Sequence, residues 1–161
     1  MKDAGDPRWA VRPATSADAA AVAACVDEAY APYVARMGTR PGPMLDDYAE
    51  TIACHQVSVV EIAGRVVGVL VLVVTDEGLL LDNVAVAPEF QGGGIGRVLL
   101  EVAESEAVRQ GYPELVLYTH ELMTENLAMY RALGYTEYAR RVEKGFPRVY
   151  LRKRLGGRGT P

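Results

Sequence analysis

The chain has 161 residues, half of them hydrophobic and 24% charged, with a formal net charge of −4. That length suits one domain with a real core, and the negative balance argues against nonspecific binding to nucleic acid or to an anionic membrane. No apolar run is long enough to span a bilayer, the two cysteines lack metal or redox spacing, and residues 1–8 are polar and unlike a secretory leader, so the expected compartment is the cytoplasm.

In chain order, Trp9, Ala10, Val11 and Arg12 form a short expected strand ending at Pro13. Thr15 and Asp18 are spaced as an N-cap and third helical residue, ahead of an alanine-rich stretch of high helix propensity. That helix holds Cys25, read as a small core residue, and is expected to end near Tyr30, because Pro32 lacks the N–H of a helix interior. Between 30 and 48 no single period holds. Three prolines and two glycines interrupt residues 32–43, while Tyr30, Tyr33, Met37, Met44 and Tyr48 supply aromatic and thioether surface. Two readings stand for this stretch: a loop that closes over a small molecule, or side chains that plug the end of the core or a subunit interface. A second helix is expected over about 45–54.

Residues 56–63 and 65–75 read as strands joined by the tight turn Ala63-Gly64-Arg65. The second is apolar almost throughout, as in a strand covered on both faces. After the turn Thr75-Asp76-Glu77-Gly78 comes a further buried strand, 79–86, which completes an antiparallel meander. A helix follows from Ile95 to about Gln110, with Ile95, Val98, Leu99, Val102 and Ala103 on one face and Gly111 as its stop. Pro113 leads into a short strand, 115–118, parallel to 79–86 through a right-handed crossover. Thr124 is placed to cap a helix over 125–133, stopped by Gly134. Residues 135–143 and 148–153 read as two antiparallel strands, the second an exposed edge able to pair with a second copy in a homodimer. The expected domain spans 9–154, with flexible ends at 1–8 and 155–161.

Between the strand 79–86 and the helix from Ile95 lies Pro88-Glu89-Phe90-Gln91-Gly92-Gly93-Gly94-Ile95-Gly96-Arg97. Glycine admits positive φ and lets another molecule lie against bare backbone. The helix that follows has unbonded N–H groups and partial positive charge at its start, a setting suited to phosphate oxygens. A pyrophosphate cradle and a merely flexible turn are both consistent with this chemistry. The P-loop pattern fails because no Lys-Ser or Lys-Thr follows the glycines, and the dinucleotide fingerprint fails because Arg97 and Leu99 stand where its last glycine belongs. A different pattern fits, Q-x-x-G-x-G at Gln91, Gly94 and Gly96.

That pattern resembles the acetyl-CoA signature of the GCN5-related N-acetyltransferases, the GNAT family. A second one resembles the family's helix ending in glycine and an aromatic: Asn126-Leu127-Ala128-Met129-Tyr130-Arg131-Ala132-Leu133-Gly134-Tyr135, with Asn126 and Tyr130 on one helix face. The resemblance covers residues 9–154 and implies an α/β (α+β) fold. That fold is a mixed, mostly antiparallel sheet of six to seven strands flanked by about four helices, its fourth and fifth strands splayed apart. It also implies an acetyl-CoA-dependent N-acetyltransferase without a metal, acting on a small-molecule or peptide amine. A non-catalytic acyl-CoA-binding domain and a transferase of another acyl group are the alternatives.

The resemblance assigns roles by position. Gln91, Gly92, Gly93, Gly94, Ile95, Gly96 and Arg97 would hold the pyrophosphate, with Arg97 either adding charge or simply solvated. Val84, Ala85 and Val86 would run beside the pantetheine arm, the amide near Val84 polarising the thioester carbonyl. Asn126 would bond that arm or order its helix. Tyr130, by itself no more than a half-buried core tyrosine, would donate a proton to the departing thiolate. An amine of ordinary pKa needs a base. The family's position for one matches Leu80 here; Asp82, two residues on along the same strand face, is the first candidate. It stands against the alternative of a carboxylate bonded to a neighbouring loop. Glu77, His120, Glu121 and ordered water are the other candidates.

Overall fold

The most apolar stretch of the chain lies at the centre of a seven-stranded sheet, and the computed structural model describes the sheet and its helices over residues 9–156. Of the ends expected to be flexible, 1–8 and 155–161, residues 1–8 and 157–161 lie outside the described residues. The strands are β1 (Ala10–Pro13), β2 (Gln56–Ile62), β3 (Arg65–Thr75), β4 (Gly78–Val86), β5 (Glu114–His120), β6 (Thr136–Glu143) and β7 (Phe146–Arg154). The helices are α1 (Ala19–Met37), α2 (Tyr48–Cys54), α3 (Ile95–Arg109) and α4 (Thr124–Ala132). The spatial order is β1-β2-β3-β4-β5-β7-β6, antiparallel throughout except for the parallel pair β4 and β5. This is the mixed α/β architecture expected from the sequence.

β3 is buried without a break from Val66 to Leu72, as its composition requires. β4, expected to be buried as a whole, instead alternates: Leu79, Leu81, Asn83 and Ala85 are buried, and the residues between them are half-buried. Helices cover both faces. On β4, Asn83 meets Tyr30 of α1, whereas Val86 lies beside Gly96 of α3, and residues three apart on a strand point to opposite faces. Gly68 sets how closely α3 sits. A Cβ there would stand 3.0 Å from Ile95 Cγ2 and 3.3 Å from Leu99 Cδ1. The bare backbone lets the first turn of α3 rest on β3, which fixes where the glycine segment emerges.

Several expected boundaries move. α1 does not stop at Tyr30; it continues through Pro32 to Met37, where Gly38 takes φ 76° and donates its N–H to Val34 O at 2.9 Å. Pro32 forfeits a helical hydrogen bond, but the preceding turns bury Val26, Ala29 and Tyr30, and such packing outweighs local propensity. α2 starts at Tyr48 rather than near 45, because Asp47 accepts the N–H groups of Ala49 and Glu50 at 3.1 and 3.4 Å as an N-cap. Residues 42–45 ahead of it form one tight 3-10 turn. Thr124 is the first residue of α4 rather than its cap, a position held by Met123.

The largest correction concerns β7. It is not an exposed edge: it pairs with β5 on one side and β6 on the other, so its ladder groups are taken and it offers a second copy nothing to extend. The chain also stays attached one residue past β7, where Leu155 N–H bonds Pro113 O at 2.8 Å. Among the described residues no helix is long and apolar enough to cross a membrane.

Candidate active site

β4 and β5 pair at only three places, Leu79↔Leu115, Leu80↔Val116 and Leu81↔Leu117. Beyond them β4 stays with β3 as far as Gly68↔Val86, and β5 stays with β7 as far as His120↔Arg148. The two strands therefore part, and a cavity opens in the gap. Asp82 and Val84 of β4, Tyr118 and His120 of β5, Asn126 and Tyr130 of α4, and Tyr30 of α1 line it.

Asp82 sits at a bulge. The β3–β4 register passes from Val71↔Asn83 to Leu72↔Leu81, leaving Asp82 without a partner on β3, and a bulge of this kind re-aims a side chain. Its Oδ1 accepts the Tyr118 hydroxyl at 2.9 Å from across the gap, so the partner of this carboxylate is a strand residue and not a loop. Burial, with the Asp82 charge next, pushes the Tyr118 phenol above its ordinary pKa. The Arg148 guanidinium lies 4.2 Å over the Tyr118 ring and bonds Glu143 at 3.1 Å. Of the other expected bases, His120 lines the gap; its Nδ1 accepts the Leu122 N–H at 3.1 Å, and burial lowers its pKa. Glu77 bonds Arg141 at 3.2 Å and Glu121 lies 3.9 Å from Arg140, and neither lines the gap.

Tyr130 is 4% exposed. Its hydroxyl has no hydrogen-bond partner among the described residues, and burial raises its pKa, with the nearby Tyr33 adding to the effect. It is therefore a protonated phenol in the lining of the gap. Asn126, four residues earlier on the same face, points its Nδ2 toward Met123 Sδ at 3.6 Å.

The glycine segment stands at the other end of β4 and is not part of the cavity lining, nor are Ala85 and Val86. Ala85 packs into the core. Gln91 donates its Nε2 to Val86 O at 3.0 Å, tying the segment to the strand. Gly92 and Gly94 take φ 85° and 94°, and a Cβ on either would meet nothing within 4 Å. These residues face open space. The helical ladder begins with Val98 N–H to Gly94 O at 3.0 Å, so the N–H groups of Ile95, Gly96 and Arg97 precede it. Ile95 is buried and anchors the turn. Arg97 is exposed, 3.8 Å from Glu101.

A family model for an acetyltransferase (GNAT) domain matches residues 53–137, more than half of the 161. The chain belongs to the GNAT acetyltransferase family. It is 36% identical over 90 residues to the mycothiol acetyltransferase of Jonesia denitrificans, a match covering 55% of this chain and 29% of that protein. It is 38% identical over 65 residues to the ribosomal protein bS18-alanine N-acetyltransferase of Escherichia coli K12, covering 40% and 43%. Both matches thus span less than half of the relative's length. The PaiA N-acetyltransferase of Thermoplasma acidophilum, solved in complex with coenzyme A, superposes with a TM-score of 0.75 at 16% identity, over 91% of this chain and 99% of that one.

Two parts of this GNAT site escaped the sequence reading. One is a buried hydrogen-bond chain: Tyr30 OH donates to Asn83 Oδ1 at 2.8 Å, Asn83 Nδ2 to Tyr48 OH at 3.0 Å, and Tyr48 OH to Pro43 O at 2.6 Å. Tyr30 and Tyr48 are thus held in the core, Tyr30 also lining the gap, and between them Pro41, Gly42, Pro43, Leu45 and Asp46 border the cavities. Asn83, a second polar residue next to Asp82 in a strand otherwise made of glycine, leucine, valine and alanine, was the available signal. The other is a wider cleft on the far side of Asp82. Leu45, Asp46, His55, Leu80, Lys144 and Tyr150 line it, and it shares Asp82, Tyr118 and Arg148 with the gap.

Proposed function

We propose that this GNAT protein is an acetyl-CoA-dependent N-acetyltransferase that moves an acetyl group to a primary amine by direct attack in a ternary complex. The observation that carries the reading is the gap between β4 and β5. One end of β4 leads to the open glycine segment, and Tyr130 and Asn126 border the gap itself. Asp82 stands at its junction with the second cleft.

The fit to acetyl-CoA rests on backbone. At Gly92 and Gly94 a side chain would occupy space that now lies open beside a helix start, and that combination suits a diphosphate. Val84 and Asn126 border the route of the pantetheine arm, with Ala85 and Val86 continuing the strand toward the glycines. Arg97 is assigned no contact: its exposure and its neighbour Glu101 favour the solvated reading. When bound, the co-substrate supplies an acetyl thioester already activated toward amines.

The residues of the chain handle protons and position. The amine lone pair forms the N–C bond while the C–S bond breaks. The proton shed by nitrogen goes to Asp82, directly or through water, and the thiolate takes one from Tyr130. A buried phenol whose pKa is raised is protonated at neutral pH, so it can offer its O–H to the departing sulfur and cannot act as the base. Backbone N–H groups of β4 near Val84 stabilise the tetrahedral oxyanion. No protein nucleophile is needed. Cys25 is buried, Cys54 is exposed, and neither lines the gap.

Thiol release from acetyl-CoA over a panel of primary amines, with the product identified by mass spectrometry, tests this reading. N-acetylated product from at least one amine is expected. Tight coenzyme A binding with no turnover of any amine would overturn it in favour of a binding domain.

A further inference from the structure

The second cleft holds two opposite charges that the fold leaves unused. Asp46, in the segment after the tight turn Gly42–Leu45, and Lys144, at the tip of the β6–β7 hairpin, both line it. Neither has a hydrogen bond or ion pair among the described residues. The other charges shared by the two cavities are committed: Asp82 to Tyr118, and Arg148 to Glu143 and the Tyr118 ring. Asp46 and Lys144 feel one another. The Asp46 carboxyl is raised by partial burial first and by the Asp82 charge second, and Lys144 opposes that shift. They are near, yet not within ion-pair distance.

The tip holds Lys144 in place. Lys144 and Gly145 take φ 53° and 81°, the left-handed pair of a tight two-residue hairpin turn. Leu45, 58% exposed, and the half-buried Leu80 give the same cleft an apolar patch, beside the polar side chains of Thr51, His55 and Tyr150.

We infer that the acceptor is a zwitterion of the amino-acid type: its ammonium enters between Asp46 and Asp82, and its carboxylate is read by Lys144 across an apolar patch formed by Leu45 and Leu80. This rests on the N-acetyltransferase reading and narrows its substrate class. A polyamine would place a second cation against Lys144, and a simple alkylamine would leave that ammonium unanswered. Lys144 is a specificity-determining residue outside the proton-transfer machinery.

The test compares leucine with leucinamide, isopentylamine and spermidine, and the wild type with Lys144→Asn, which suits the left-handed turn position. In the wild type leucine should exceed leucinamide and isopentylamine in kcat/KM by about tenfold, as one charge-assisted contact permits. Lys144→Asn should remove that preference by raising KM for leucine, with turnover of isopentylamine unchanged. Equal use of acid and amide by the wild type, a preference for spermidine, or equal losses for leucine and isopentylamine in the variant would each overturn the inference. Should no amine be turned over, the N-acetyltransferase reading fails, and calorimetric titration of leucine and leucinamide into the protein decides this one. Leucine binding that exceeds leucinamide binding and is lost in Lys144→Asn upholds it; its absence overturns it.

Discussion

The two ends of the site are made of different material. At the glycine segment the surface is main chain: Gly92 and Gly94 hold left-handed conformations over open space, and Ile95 pins the start of α3 into the core. At the second cleft, the proposed acceptor site, the surface is side chain, drawn from the segment before α2, from β4 and β5, and from the β6–β7 hairpin. On the proposed reading a cradle of backbone holds a group that every acyl-CoA shares, and it should tolerate little change in its glycines. A cleft of side chains can be altered residue by residue while the fold persists. Variants of the first should change affinity for the co-substrate, and variants of the second should change turnover or the choice of amine.

The sharpest way to break this division is Asp82→Asn. The amide oxygen still accepts the Tyr118 hydroxyl, so the gap should hold its shape, while kcat/KM for the amine falls by roughly a hundredfold or more, the usual reach of general base catalysis. Affinity for coenzyme A should stay the same. Unchanged turnover would hand the base role to ordered water.

Gly94→Glu probes the other end. A residue at φ 94° is strained with any side chain, and a carboxylate there repels phosphate, so coenzyme A affinity should fall by about tenfold to a hundredfold, the range of one to two lost charged contacts. Equilibrium dialysis or calorimetry with coenzyme A reads this directly. Unaltered affinity would place the diphosphate elsewhere.

Tyr130→Phe should lower kcat by about tenfold, less than the loss of the base, because a thiolate of ordinary pKa near ~8.5 leaves tolerably well unaided. Coenzyme A affinity should be little changed, since the phenyl ring keeps its packing against Tyr135 at 5.9 Å between centroids. A variant as fast as the wild type would take Tyr130 out of the acid role.

The smallest effect is on stability and spans both regions. Tyr30, Tyr48, Tyr118, Tyr130 and Tyr135 all have pKa values raised chiefly by burial. Above the ordinary phenol value of about 10 the unfolded chain sheds these protons while the folded one keeps them. Their contribution is therefore whole below pH ~10 and is lost as pH climbs through the raised folded values. The melting temperature should be flat with respect to these groups at neutral pH and fall beyond pH ~10. Tyrosinate absorbance that reaches the level of all nine tyrosines well before unfolding would contradict their burial.

What the sequence determined by itself was whatever depends on neighbours along the chain. The apolar run of β3, the four glycines within five positions after β4, the one-sided pattern of α3, and the pairing of Asn126 with Tyr130 four residues later are all local, and each is found where it was expected. The order of elements then sufficed for the family fold. Tertiary structure decided what depends on residues far apart. It let α1 run through Pro32, because burial of its inner face outweighs one missing hydrogen bond. It placed β7 inside the sheet between β5 and β6. It set Asp82 on a bulge facing Tyr118, 36 residues away, and left Asp46 and Lys144 facing one cleft from opposite ends of the chain. Periodicity carries no information about such meetings, because they are fixed by how the sheet opens and how the loops fold over it.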